Sequence, residues 1–147
     1  MNPDSHSLAV ESACKNLVAQ AAYLTDRQDH EAFVQCFAVN GRLTRPGGQP
    51  LVGREAILAS YRGRPADRIT RHLVTNTFMT EIGSHHARGV SYVLLWSTST
   101  EQPEEAFGRK ANLRQVLGEF NDRFELTDEG WRIAEREASF VMYTEQQ

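Results

Sequence analysis

No stretch of this chain approaches the roughly 20 apolar residues that a membrane-spanning helix needs. Residues 1–8 are polar and lack the apolar segment of a secretory signal, so a cytoplasmic location is the expectation. Cysteine is scarce. Cys14 and Cys36 stand 22 positions apart with no CxxC, and both fall at apolar positions of helical patterns, where buried free thiols fit better than a nucleophile. His85 and His86 are adjacent in a hairpin tip. Successive strand side chains point to opposite faces, so the pair is a poor chelate and no metal site is expected. An excess of one charge is also missing. The net charge of −3 gives no general pull toward nucleic acid or anionic membrane, and neither is expected as a partner. Lysine is nearly absent, and the cations are arginines. Arg62, Arg64, Arg68 and Arg71 cluster locally. They admit a phosphate or carboxylate site, but a solvated helix end and loop is the preferred reading.

What is present suits one globular domain spanning residues 1–147, with residues 1–6 as a flexible tail: 147 residues, 40% hydrophobic and 24% charged. Over residues 7–24 the apolar positions Val10, Cys14, Leu17, Val18, Ala21 and Leu24 form one helical stripe. Asp29 is placed to cap a short second helix over residues 31–37. A turn and short strand over 38–45 and a Pro/Gly loop over 46–50 precede a pair-back at Leu51 and Val52. A helix from Gly53 to Tyr61 then ends at Gly63 and Pro65. The remaining pattern is that of long strands, over 71–82, 87–97, 112–127 and 131–143, with a hairpin turn at 128–130 and a polar loop over 98–110. Helices first and antiparallel strands after make an α+β fold, a strongly curved sheet with the helices packed on one side and a hydrophobic pocket inside.

The strand over 71–82 organises the site. By alternation, one face carries His72, Val74, Asn76, Phe78, Thr80 and Ile82. Apolar side chains interspersed with an imidazole and an amide suit the lining of a cavity that orients a ligand. The alternative is a core histidine bonded to a backbone carbonyl. By the same alternation Tyr92 and Trp96 share a face, open to a pocket wall or a subunit interface. Phe120 and Asp122 share another. Asp122 between Phe120 and Phe124 is either an acid or base in the cavity or the partner of a neighbouring arginine such as Arg136, with the ion pair preferred.

Several stretches in order carry a resemblance: residues 23–29, the Phe37 helix end, residues 52–57, residues 71–76, residues 87–93 and residues 130–134. Together they resemble the SnoaL-like branch of the NTF2-like superfamily, over about residues 10–140. The resemblance implies a cystatin-like, cone-shaped α+β barrel and a homodimer through the sheet. Polyketide cyclases, scytalone and bile-acid dehydratases and ketosteroid isomerase belong to this superfamily, as do the non-catalytic β subunits of ring-hydroxylating dioxygenases. Its dehydratase branch implies a catalytic set of His72, Asp26 and Tyr23, with no cofactor. In that set a carboxylate steadies an imidazole base, the side chain that titrates nearest working pH, and a tyrosine hydroxyl supports the enolate. Without a role in catalysis, Asp26 is a cap at the helix break and Tyr23 a rim residue. Asn76, Val74, Phe78, Tyr61, Tyr92, Phe120 and Asp122 are the candidate lining. The expected activity is that of a lyase or isomerase on a small, mostly apolar, carbonyl-bearing ring compound. A dioxygenase β-subunit-like protein and a binding protein without turnover are the alternatives.

Overall fold

The computed structural model describes residues 4–146. Helix α1 runs Ser5–Asp26 and buries Val10, Cys14, Leu17, Val18 and Ala21, with Ala22 and Thr25 continuing the stripe. Its start lies inside the stretch expected to be a tail. The Asp4 carboxylate accepts from the Ser7 amide at 2.7 Å, and that cap allows helix from Ser5 onward; residues 1–3 of the expected tail lie outside the described residues. Asp29 caps α2 (His30–Val34) through the Ala32 amide at 3.2 Å. This helix is shorter than expected, because Phe37 already opens strand β1 (Phe37–Thr44). Next come β2 (Leu51–Val52), α3 (Arg54–Arg62), β3 (Arg68–Ile82), β4 (His86–Ser99), β5 (Arg114–Thr127) and β6 (Gly130–Glu145).

The strands form one sheet in the order β2-β1-β6-β5-β4-β3. From β3 to β6 it is a meander of antiparallel neighbours. The expectation of a wholly antiparallel sheet fails at one seam, where β1 and β6 pair in parallel. A parallel pair needs a long crossover, and α3 together with β3–β5 supplies it. The sheet is curved and unclosed, with β2 and β3 as its edges. Register shifts mark where strands bend, in β3/β4 between Thr75 and Phe78 and in β5/β6 between Leu117 and Gly118. At the second, a Cβ on Gly118 would lie 2.6 Å from the Ser139 carbonyl oxygen, so only glycine admits this approach of β5 to β6.

Helix α1 packs against β3 and β6. Phe33, Phe37, Phe124, Leu43, Ile57 and Ile133 fill the core with Cys14 and Val18. Both cysteines are buried and unbridged, and burial pushes the Cys14 thiol up to about 12. Among the described residues no helix is long and apolar enough to cross a membrane.

The bulge in β3 has a local cause. Asn76 adopts φ +53°, a left-handed conformation that asparagine tolerates better than most residues and β-branched residues tolerate poorly. Asn76 is exposed, so packing does not confound a substitution there. Asn76→Val should destabilise the fold by about 1–2 kcal/mol, with Asn76→Gly close to neutral. Thermal melts of both variants check this, and an unchanged melting temperature for Asn76→Val would contradict the assigned conformation.

Candidate functional site

Because α1 lies across β3, its last residue meets the start of that strand. The Asp26 carboxylate accepts three hydrogen bonds from β3. The Thr70 hydroxyl donates to Oδ1 at 2.8 Å, the His72 amide to Oδ2 at 2.9 Å, and His72 Nδ1 lies 2.6 Å from Oδ1. Both side chains are sheltered, at 15% and 10% exposure for His72 and Asp26. Burial acts to raise the Asp26 carboxyl, but the bonds from His72 and Thr70 outweigh it and hold the group below its ordinary value. An ionised carboxylate only accepts, so Nδ1 is the nitrogen that carries the proton in neutral His72. Nε2 keeps its lone pair.

His72 lines a cavity of about 460 Å³. Ala22 and Thr25 of α1, Phe33, Val93 of β4 and Phe120 of β5 give it apolar wall, and Tyr61 of α3 closes one side. Asp26 sits behind the imidazole. Tyr61 and Phe120 therefore join His72 as expected. Val74 is half-buried against the core.

The expected catalytic Tyr23 and the other expected lining residues lie elsewhere. Tyr23 is 60% exposed, with the Arg27 guanidinium 5.6 Å from its ring centre. The inward stripe of α1 runs through Ala22, Thr25 and Asp26, spaced three and four residues apart, and this turns Tyr23 outward. Asn76 is exposed, and Phe78 is 65% exposed. The bulge inserts one residue and reverses the alternation, so Thr77 and Met79 turn inward instead. Tyr92 faces out at 48% exposure, because Val93 and Leu95 supply the inner face of β4. Asp122 is buried and grips Arg136 in two bonds, Nε to Oδ1 at 2.7 Å and Nη2 to Oδ2 at 2.9 Å. The preferred ion-pair reading thus matches the geometry, and the Arg136 guanidinium also lies 4.0 Å from the Phe120 ring centre.

Sequence reasoning missed the arginines of the wall. Arg45, Arg64, Arg68 and Arg136 all border the cavity. Two of them belong to the cluster read as solvated. That reading holds for Arg62, which pairs with Glu31 at the surface, and for exposed Arg71; Arg68 is exposed too, though it borders the cavity, and Arg64 alone is half-buried. The signal was present in the arginine-rich run, but nothing local distinguishes a guanidinium folded inward from one in water.

Residues 6–137 match the model of the SnoaL-like domain. No curated protein matches the chain in sequence. Among solved structures, a scytalone-dehydratase-like protein from Novosphingobium aromaticivorans is similar at 19% identity and TM-score 0.80, over 97% of this chain and 91% of that one. LinA type 2, a hexachlorocyclohexane dehydrochlorinase, is similar at 16% identity and TM-score 0.81, over 99% and 94%. A protein of unknown function from Mycobacterium tuberculosis shares 26% identity at TM-score 0.76, over 96% and 77%.

Two outcomes follow from the charge pairs. Asp122→Ala leaves Arg136 buried without its partner and should cost about 3–5 kcal/mol, with Asp122→Ala/Arg136→Met recovering much of it. Urea unfolding of both variants measures this; equal stability of the single variant and the parent would refute the pairing. For Asp26, a depressed folded-state value means its stabilisation is fully present above the ordinary 3.8. That stabilisation is lost as pH falls through the lower, folded-state value. The stability advantage of the parent over Asp26→Asn should therefore shrink as pH falls from about 5 to about 2. A constant advantage across that range would contradict the shift.

Proposed function

The chain belongs to the SnoaL-like domain family, and on that footing we propose that it is a lyase or isomerase that works by proton transfer through His72, oriented by Asp26. The observation that carries the reading is the placement of His72, with Nδ1 bonded to a carboxylate at 2.6 Å and its ring on the wall of a cavity. In the proposed step, Nε2 takes the proton next to a substrate carbonyl. The electron pair moves to the carbonyl oxygen, and Asp26 stabilises the imidazolium that forms. The donor on the wall for the developing oxyanion is the Tyr61 hydroxyl. The imidazolium then returns the proton to a β-hydroxyl. The C–O bond breaks, a C=C bond forms and water leaves. This cycle closes on the protein's own side chains, without a cofactor. A buried polar pair used only for stability would not need a face on a cavity.

Two of the similar structures bear names for eliminations, a dehydration and a dehydrochlorination. That agreement supports elimination over other proton-transfer chemistry. In the same reading the protein is a cytoplasmic homodimer. The outer face of the sheet, with Leu73, Tyr92 and Trp96 exposed, serves as the subunit contact.

The test uses 3-hydroxy-1-tetralone, which on losing water becomes 1-naphthol, a fluorescent product. The parent should speed its formation. His72→Ala should cut that rate about 10²–10⁴-fold, with Asp26→Asn intermediate and melting temperatures within the range of about 1–2 kcal/mol of stability. Equal rates for the parent and His72→Ala would refute the assignment. Unfolding of either variant would make the pair a structural device.

A further inference from the structure

The cavity wall carries more positive charge than proton transfer at His72 requires. Arg64, in the loop after α3, and Arg45, just beyond β1, place their guanidinium carbons 4.1 and 5.0 Å from the centre of the buried Tyr61 ring. Arg45 also donates to the Ser60 hydroxyl. Arg68, which is exposed, opens β3 at the border of the same cavity. The segment bearing Arg64 and Arg68 is pinned from below. Gln28, itself at φ +54°, donates from Nε2 to the Arg68 carbonyl at 2.8 Å, with longer contacts to the carbonyls of Pro65 and Ala66 at 3.3 and 3.4 Å.

Several arginines elsewhere find acids, among them Arg54 with Glu129, Arg62 with Glu31 and Arg114 with Glu145. Among the described residues no carboxylate comes within ion-pairing distance of Arg45, Arg64 or Arg68. The acids nearby are committed, Asp26 to His72 and Asp122 to Arg136. Glu119 borders the cavity but is exposed and pairs with none of the three. Burial is the main cause that lowers the Arg64 pKa from its ordinary value, and Arg45 and Arg68 push the same way. Two half-buried guanidinium groups, Arg45 and Arg64, with exposed Arg68 beside them and no paired counter-charge, are costly, and an incoming anion relieves that cost.

We propose that the cavity takes a ring compound bearing an oxyanion, a carboxylate or a phosphate monoester, held by Arg64 and Arg45 with Arg68 beside them while the ring reaches toward His72. This deepens the proposed function by naming the substrate class, and it rests on reading the cavity as the substrate site. A guanidinium offers a planar fork that meets either oxyanion in two parallel bonds. Anchoring the charge away from the imidazole would fix which carbon meets Nε2, the positioning on which proton abstraction depends.

The experiment is isothermal titration of the full chain with 2-naphthoate, 2-naphthyl phosphate and neutral 2-naphthamide at low salt. At least one anion should bind about tenfold or more tighter than the amide, and added salt should erode that margin. The tighter of the two anions identifies the oxyanion. Arg64→Gln should remove about tenfold of the anion's affinity and leave the amide unchanged, with Arg64→Lys between the two. Should Arg64→Gln lower the melting temperature, Arg45→Gln provides the same comparison. Amide binding as tight as that of both anions would overturn the proposal. So would the absence of saturable anion binding below about 1 mM, or equal weakening of anion and amide by the arginine variants. No turnover is read, so the anion preference can fail while the role of His72 stands. An anion preference retained in His72→Ala, alongside failed chemistry, would separate the two the other way.

Discussion

The end of α1 is tied to the beginning of β3 by one carboxylate. Asp26 takes a hydroxyl from Thr70 and a backbone amide and an imidazole from His72. Each bond alone is worth about 1–3 kcal/mol when charge-assisted. Their joint effect is geometric, because the helix cannot slide along the strand without leaving a sheltered carboxylate unsatisfied. The same contact sets the imidazole ring. The register of helix on sheet and the orientation of the proposed base are thus one constraint, and the cavity forms around it.

The rest of the hollow depends on departures from regular structure. A uniform strand would carry Asn76 and Phe78 onto the inner face. The left-handed turn of the backbone at Asn76 reverses the alternation and sends Phe78 to the surface. At Gly118 two strands approach too closely for any side chain. These bends let an open, six-stranded sheet curl over α1 without closing. The buried Asp122–Arg136 pair then places a charged group at the wall while keeping its charge matched.

Much of this was legible in advance, for identifiable reasons. The α1 stripe from Val10 to Ala21 follows helical periodicity, and the caps at Asp29 and the turn at 128–130 follow local chemistry, so they were readable residue by residue. The meeting of Asp26 with His72 was not. Those residues are 46 positions apart, and only the resemblance to the SnoaL-like branch brought them together. Tyr23 was misplaced because its spacing from Asp26 fits a shared face, whereas the centre of the stripe runs through Ala22 and Thr25. Phe78 and Tyr92 were misplaced because alternation says nothing about a bulge, or about which face of a strand turns inward. The parallel seam of β1 with β6 is non-local and leaves no mark in either segment. The wall arginines carry the same letters as the others, and what draws Arg45 and Arg64 inward is the Tyr61 ring contributed by α3.

The central claim is that Asp26 fixes the tautomer of His72 so that Nε2 faces the cavity as a free base. The direct measurement is a long-range ¹⁵N–¹H correlation spectrum of histidine-labelled protein above neutral pH, with His72 among the five histidines assigned by His72→Ala. The account predicts a protonated Nδ1 and an unprotonated Nε2, and a loss of that preference in Asp26→Ala. A proton found on Nε2 in the parent protein would contradict it.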